Sequence, residues 1–205
     1  MKKVLSIMAL AIALVLTSCG GKKEGASFDG NKLINNPTAI TKALERPATR
    51  ASGSATQFDL GFATRSASAA ARQALAAQIM QVISSNNTMN NYSYSQFASD
   101  GREAGNAKDE EQKNQEMMEA IVAEIPINGA AVIENNIYKT KDGQYQVFVC
   151  VEFQGDAMTL ANNMAEGYRK YLQQRVSEEK RAQIDQRVED FREQSLKRIR
   201  EINNI

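Results

Sequence analysis

The chain has 205 residues, with 25 basic and 24 acidic side chains and a formal net charge of +1. It contains two cysteines and no histidine, which excludes Ser-His-Asp and Cys-His nucleophile pairs, His-ligated metals and His proton shuttles. A charge this balanced argues against nucleic acid as a partner, because a phosphate backbone selects a basic excess or stripe.

The first element is an address. Met1-Lys2-Lys3 is a short positive region, and Val4–Leu16 is an apolar run. That run is too short to cross a hydrocarbon core of about 30 Å as a helix, so residues 1–18 read as a secretory signal peptide. The segment Leu16-Thr17-Ser18-Cys19-Gly20 resembles the lipobox of bacterial lipoprotein signals: leucine three positions before the cysteine, two small residues, then cysteine. The resemblance implies a diacylglyceryl group on the Cys19 thiol, cleavage before Cys19 and acylation of the new amine. Two or more acyl chains anchor stably where a single chain binds only marginally. Loss of Lys2 and Lys3 with the signal would take the net charge from +1 to −1. Gly20 stands where some inner-membrane lipoproteins carry aspartate, and Lys22-Lys23-Glu24 is not an acidic surface-export run. The expected location is therefore the outer membrane, on its periplasmic face, with the membrane as partner through the lipid.

Residues 19–45 are small and polar, rich in Gly and Asn, and read as a flexible tether with a short helical turn over Pro37–Leu44. As a flexible coil of 25 residues it would hold a domain about 25–30 Å from the lipid. A first strand is expected over Arg46–Ala55, broken at Gly53-Ser54. Asp59 is a good N-cap for a helix over Leu60–Ser84, whose apolar or small positions recur at steps of three and four from Leu60 to Ile83. The alanines of its first half allow a neighbouring backbone to approach closely. Gly61 leaves open an alternative with a strand over Gln57–Phe62 and a helix starting at Thr64.

Ser85–Gly105 is Asn- and Ser-rich, with Tyr92, Tyr94 and Phe97, and reads as a long loop pinned by its aromatics; its two N-x-[ST] matches are chance occurrences. A second helix is expected over Asp109–Glu124, with Met117, Met118, Ile121, Val122 and Ile125 as its stripe and Pro126 as its stop. The period then changes to two. Gly129–Lys139, with Ala131, Ile133, Asn135 and Ile137 on one face, and Gln144–Phe153, with Tyr145, Val147, Val149, Val151 and Phe153 on one face, flank the Asp142-Gly143 turn of a hairpin. The valine face is expected to lie against the first helix.

Met158–Asn203 has no proline and only Gly167, which permits one helix, with or without a break, of up to 46 residues and roughly 69 Å. Leu160, Met164, Tyr168, Leu172 and Val176 form one stripe, and Ile184, Val188, Phe191, Ile199 and Ile202 another. Glu166/Lys170 and Glu193/Lys197 have the spacing of supporting ion pairs. Ser177–Gln183 interrupts the heptads, which favours a helix contacting its own domain over a coiled-coil oligomer. The expected fold class is α+β: a small antiparallel sheet in the order strand, helix, helix, hairpin, with helices on one face and a long C-terminal helix. The expected parts are the signal (1–18), the tether (19–45), an α/β domain (46–155) and an amphipathic helix (156–205).

Together with the lipobox, this order resembles the small bacterial lipoprotein family typified by the twenty-kilodalton Lpp antigen. The residues that carry the resemblance are Gly53-Ser54, then Ala67, Ala71, Arg72, Leu75 and Ile79, then Gly129-Ala130-Ala131-Val132-Ile133, and Lys141-Asp142-Gly143-Gln144-Tyr145-Gln146-Val147-Phe148-Val149. They cover about half of the chain after Cys19, and most are core and turn residues. The resemblance implies a small α/β domain tethered to the outer membrane and brings no catalytic site; the long C-terminal helix lies outside its pattern.

The rest of the chemistry is sparse. Cys150, in mid-strand without histidine, reads as a small buried hydrophobe, with dimerisation through it open only if its face is exposed. Asp109, Glu110, Glu111, Glu178, Glu179, Glu189 and Asp190 could in principle pair for glycosidase work, but all sit in charge runs typical of a solvated helix face. No phosphate loop, CxxC or calcium loop is present. The sequence therefore predicts no catalytic, cofactor or metal site, with Cys19 lipidation as its one marked site. The expected role is a non-catalytic envelope lipoprotein acting as a binding or assembly module, with an envelope protein or a second copy of the chain as the candidate partner.

Overall fold

The computed structural model describes residues 37–86, 107–175 and 182–204, which belong to one unit, Asn35–Ile205. The signal peptide, Cys19 and the aromatics Tyr92, Tyr94 and Phe97 lie outside the described residues. In chain order the elements are α1 (Thr38–Glu45), β1 (Arg50–Gln57), α2 (Leu60–Ser84), α3 (Ala107–Ala123), a 3-10 turn (Ile127–Gly129), β2 (Ala131–Lys139), β3 (Tyr145–Glu152), α4 (Ala157–Arg175) and α5 (Ala182–Asn203). The class is α+β, and the three strands form an antiparallel sheet in the order β1-β3-β2.

Helix α2 has the expected bounds. The Asp59 side chain accepts the Phe62 N–H at 2.6 Å, satisfying one of the unpaired donors of the first turn. The alternative with a strand over Gln57–Phe62 does not occur: β1 ends at Gln57. Ala63, Ala67, Ala71, Leu75 and Ile79 are wholly buried at intervals of four, and α2 packs on β1 and β3. The expected break at Gly53-Ser54 is not there either, because β1 runs through both residues. Gly53 serves a different need. A Cβ on it would lie 2.3 Å from the Ala71 nitrogen and 2.7 Å from the Ala67 oxygen, so the strand passes directly against the α2 backbone.

The hairpin closes over Thr140–Gln144, with the Thr140 N–H donating to the Gln144 oxygen at 2.8 Å and Gly143 at φ +79°. Val147, Val149 and Val151 are fully buried and Phe153 is nearly so, on the α2 side as expected. The β2 face is the correction. A bulge between Val132 and Glu134 shifts the register, so Val132, Asn135 and Ile137 share the valine side of the sheet, and Ile133 joins Phe148 and Cys150 on the other. An extra residue in one strand reverses the alternation beyond it. Helix α2 reaches β1 and β3 without covering β2, which leaves Val132 and Ile137 nearly half exposed.

The opposite face of the sheet is covered by α1, which buries Ala39 and Ala43 on Cys150, Ile133 and Phe148. The segment read as tether to residue 45 is therefore helical from Thr38 onward and part of the folded body. Arg50 ties α1 to the sheet, with Nε on Glu152 at 2.8 Å and Nη1 on Glu45 at 2.7 Å.

The C-terminal region takes the broken form of the expected long helix, as α4 and the long C-terminal helix α5. Helices α4 and α5 pack side by side and antiparallel, with the Tyr168 and Phe191 rings tilted at 40° and their centroids 4.7 Å apart, Arg169 on Asp185, and Arg192 reaching back to Met158. Asp156, just ahead of α4, accepts the Thr159 N–H and hydroxyl at 2.7 Å each, which holds its carboxyl below the usual range. Gly167 lets α4 meet α3, since a Cβ there would stand 2.9 Å from the Ile121 Cα. Lys170 pairs across to Glu124 on the α3 side, while Glu166 pairs with Arg169. Ile184, Val188, Phe191 and Ile199 are buried in one cluster with Leu160, Tyr168, Phe153 and Ala48. The expected boundary between 155 and 156 is thus not a boundary of the core.

Candidate functional site

Cys19, the modification site expected from the sequence, lies outside the described residues. Cys150 is within them and has no solvent-exposed surface. It pairs in register with Ser52 of β1 and Glu134 of β2, and α1 covers it with Ala39 and Ala43. Burial pushes its thiol from 9.0 up to about 11, against the pull of the Arg50 charge. A buried thiol with a raised pKa is a poor nucleophile. The exposed face that an intermolecular disulfide would need is taken up by α1.

The carboxylates do not converge. Glu189 accepts from Arg192 Nε at 2.9 Å, and Asp190 accepts from Gln186 at 2.8 Å. Side chains of Asp109, Glu110 and Glu111, and all of Glu178 and Glu179, lie outside the described residues. Three described carboxyls depart from their ordinary pKa, and all move down: Glu45 beside Lys42, Asp156 through its Thr159 hydrogen bonds and Glu189 beside Arg192. That is the direction of paired surface groups, opposite to a buried general acid. Among the described residues no three Cys, Asp or Glu side chains come together as a metal would require, and no helix is long and apolar enough to cross a membrane.

Among the described residues, two surface depressions can be named. One of about 500 Å³ runs between α2 and the end of α3, lined by Arg72, Gln73, Ala76, Val122, Ile125 and Asn128 among others. Arg72 spans it to donate to the Ala130 carbonyl at 3.2 Å. This contact makes Arg72, beside the Ala67, Ala71, Leu75 and Ile79 stripe, a strut between α2 and the β2 approach. The groove offers one cation, two amides and apolar walls, which suit an anion in size and sign but provide no nucleophile or base. The other depression, about 420 Å³, lies along α5 between Glu193, Leu196, Lys197, Arg200, Glu201 and Asn204 and mixes both charges.

The polar residues that the sequence pattern does not reveal are structural. Asn86, counted there with the Asn-rich loop, is buried and donates to the Phe191 carbonyl and the Ser195 hydroxyl at 3.2 and 3.1 Å. Asn203 is buried at the other end of α5. Neither carries a local signal, because each is defined by a partner about a hundred residues or more away. No family model matches the chain, and no curated protein matches it.

Proposed function

We propose that the chain is a non-catalytic lipoprotein of the bacterial envelope, held through Cys19 at the periplasmic face of the outer membrane. Its α+β body is a binding or assembly module for another envelope component. The observation that carries this reading is the run from Met1 to Gly20: positive start, short apolar stretch, then Leu16-Thr17-Ser18-Cys19. The resemblance to the Lpp-antigen lipoprotein family supports it. The experiment is Cys19→Ala in cells that lipidate proteins. The variant loses acyl labelling and leaves the membrane fraction; if it stays with the membranes through an alkaline wash, the reading is wrong. In-cell crosslinking of the lipidated protein then identifies the partner.

A structural oligomer assembled through the C-terminal helix is the weaker reading. The stripe that would form its seam, Ile184 to Ile199, is buried within the chain's own core. Sedimentation of the protein at rising concentration separates the two, since an obligate oligomer keeps a multiple mass.

A further inference from the structure

The hairpin end of the sheet presents an apolar tip. The last row across the strands is Gln57–Tyr145–Lys139, and beyond it lie Phe58, the first turn of α2 and the Thr140–Gln144 turn. Phe58 is 73 % exposed, Phe62 51 % and Leu60 37 %, and Ile137, two residues in from Lys139, is 47 % exposed. Three large apolar side chains within five consecutive residues at one corner differ from the scattered exposed hydrophobes of an ordinary surface. The cations at this end are Lys139, Lys141 and Arg65, with Lys139 over the Tyr145 ring and Arg65 over the Phe62 ring. The anions are Asp142 and Asp59, the latter occupied as the α2 cap. Aromatic rings bordered by Lys and Arg are the composition that settles at a lipid headgroup layer.

The chain enters the fold over the middle of β2, where Thr38 Oγ1 donates to Glu134 Oε1 at 3.1 Å. The Ala39 N–H donates to Asn136 Oδ1 at 2.9 Å, and Asn136 Nδ2 donates to Thr38 Oγ1 at 2.7 Å. Asn136 is three residues from Lys139, about 10 Å along the strand. From there α1 runs away toward the far row, Arg50–Glu152–Ala131, where Glu45 meets Arg50. Seventeen residues lie between Cys19 and Pro37, enough chain, at up to about 3.3–3.6 Å each, for the body to rest on the membrane that holds Cys19.

We propose that Phe58, Leu60 and Phe62 sit in the headgroup layer of the membrane that holds Cys19, so that the domain rests tip-down on anionic lipid. This inference rests on the anchoring reading above. The chain has no tryptophan, so a single Phe58→Trp reports this corner alone, and Leu44→Trp, also exposed, reports the far end of the sheet, about 23 Å away. The lipidated full-length proteins are reconstituted in vesicles of equal phosphatidylethanolamine and phosphatidylglycerol, with and without brominated acyl chains, and collected by sedimentation. The expected result is co-sedimentation of both proteins, with blue-shifted emission quenched by bromine for Phe58→Trp and water-like, unquenched emission for Leu44→Trp. Co-sedimentation with equal quenching, or none, at both positions overturns the tip while leaving the anchor standing. A blue shift that grows with protein concentration without quenching assigns the tip to a second copy of the chain and also overturns it. Failure of both proteins to co-sediment overturns the anchoring reading, and the tip falls with it.

Discussion

The Asn203 carboxamide accepts the Ala48 N–H at 2.8 Å across 155 residues, and both groups are buried. The last turn of the last helix thereby satisfies a backbone donor just before the first strand. This closes the fold into one unit, and α5 belongs to the domain rather than trailing from it. Asn203→Ala leaves that donor buried and unpaired, a loss of about 1–3 kcal/mol. Urea unfolding of the variant should show one transition at a lower midpoint with an unchanged slope. A second, separate transition for α4 and α5 would contradict the single-unit picture.

Gly53 stands where β1 and α2 touch backbone to backbone. A methyl group there meets the Ala71 nitrogen at 2.3 Å and the Ala67 oxygen at 2.7 Å, and neither can swing aside as a side chain would. Gly53→Ala should destabilise by about 3 kcal/mol or more, the upper end of overpacking costs. Gly143→Ala is the comparison: its φ is +79° but nothing lies within 4 Å of the added carbon, so only the left-handed strain of about 1–2 kcal/mol applies. Thermal denaturation of both variants checks the order, which reverses if the α2–β1 contact is looser than drawn.

These contacts show where the sequence is informative. Helix α2 is legible because Asp59, the alanine stripe and Leu75 and Ile79 all obey one local period, and the cap and core agree on its start. The β3 face is legible for the same reason, with valines alternating up to Phe153. The face of β2 is not, because a bulge at Ile133 reverses the alternation and nothing in Val132-Ile133-Glu134 marks it. The second face of the sheet is hidden too: α1 has only Ala39 and Ala43 to bury, and its value comes from Cys150 and Phe148 on a distant strand. Both stripes of the C-terminal region are readable, but their closure on each other depends on Tyr168 meeting Phe191, which is a tertiary fact. Of the proposed functional features, the Cys19 lipobox is a local sequence pattern. The exposed Phe58–Phe62 corner is not, since exposure depends on what α2 leaves uncovered.

Cys150 yields a prediction with two readouts. In the Cys19→Ala protein it is the only thiol, so a disulfide-exchange reagent reports it alone. Burial raises its pKa from 9.0 to about 11, which cuts the thiolate at pH 8 by about 100-fold, and the α1 cover slows access further. The folded protein should react far more slowly than the protein in urea, and Ala39→Asp, which puts a charge into that cover, should restore fast reaction. The same shift has a sign in stability. The group's folded pKa lies above its unfolded value, so its contribution is complete below pH 9 and is lost as the pH rises from about 9 through about 11. Cys150→Ala removes that part of the alkaline slope while leaving the acid side unchanged. Rapid labelling of the native thiol at pH 8, with the fold intact by circular dichroism, would show that α1 does not seal this face.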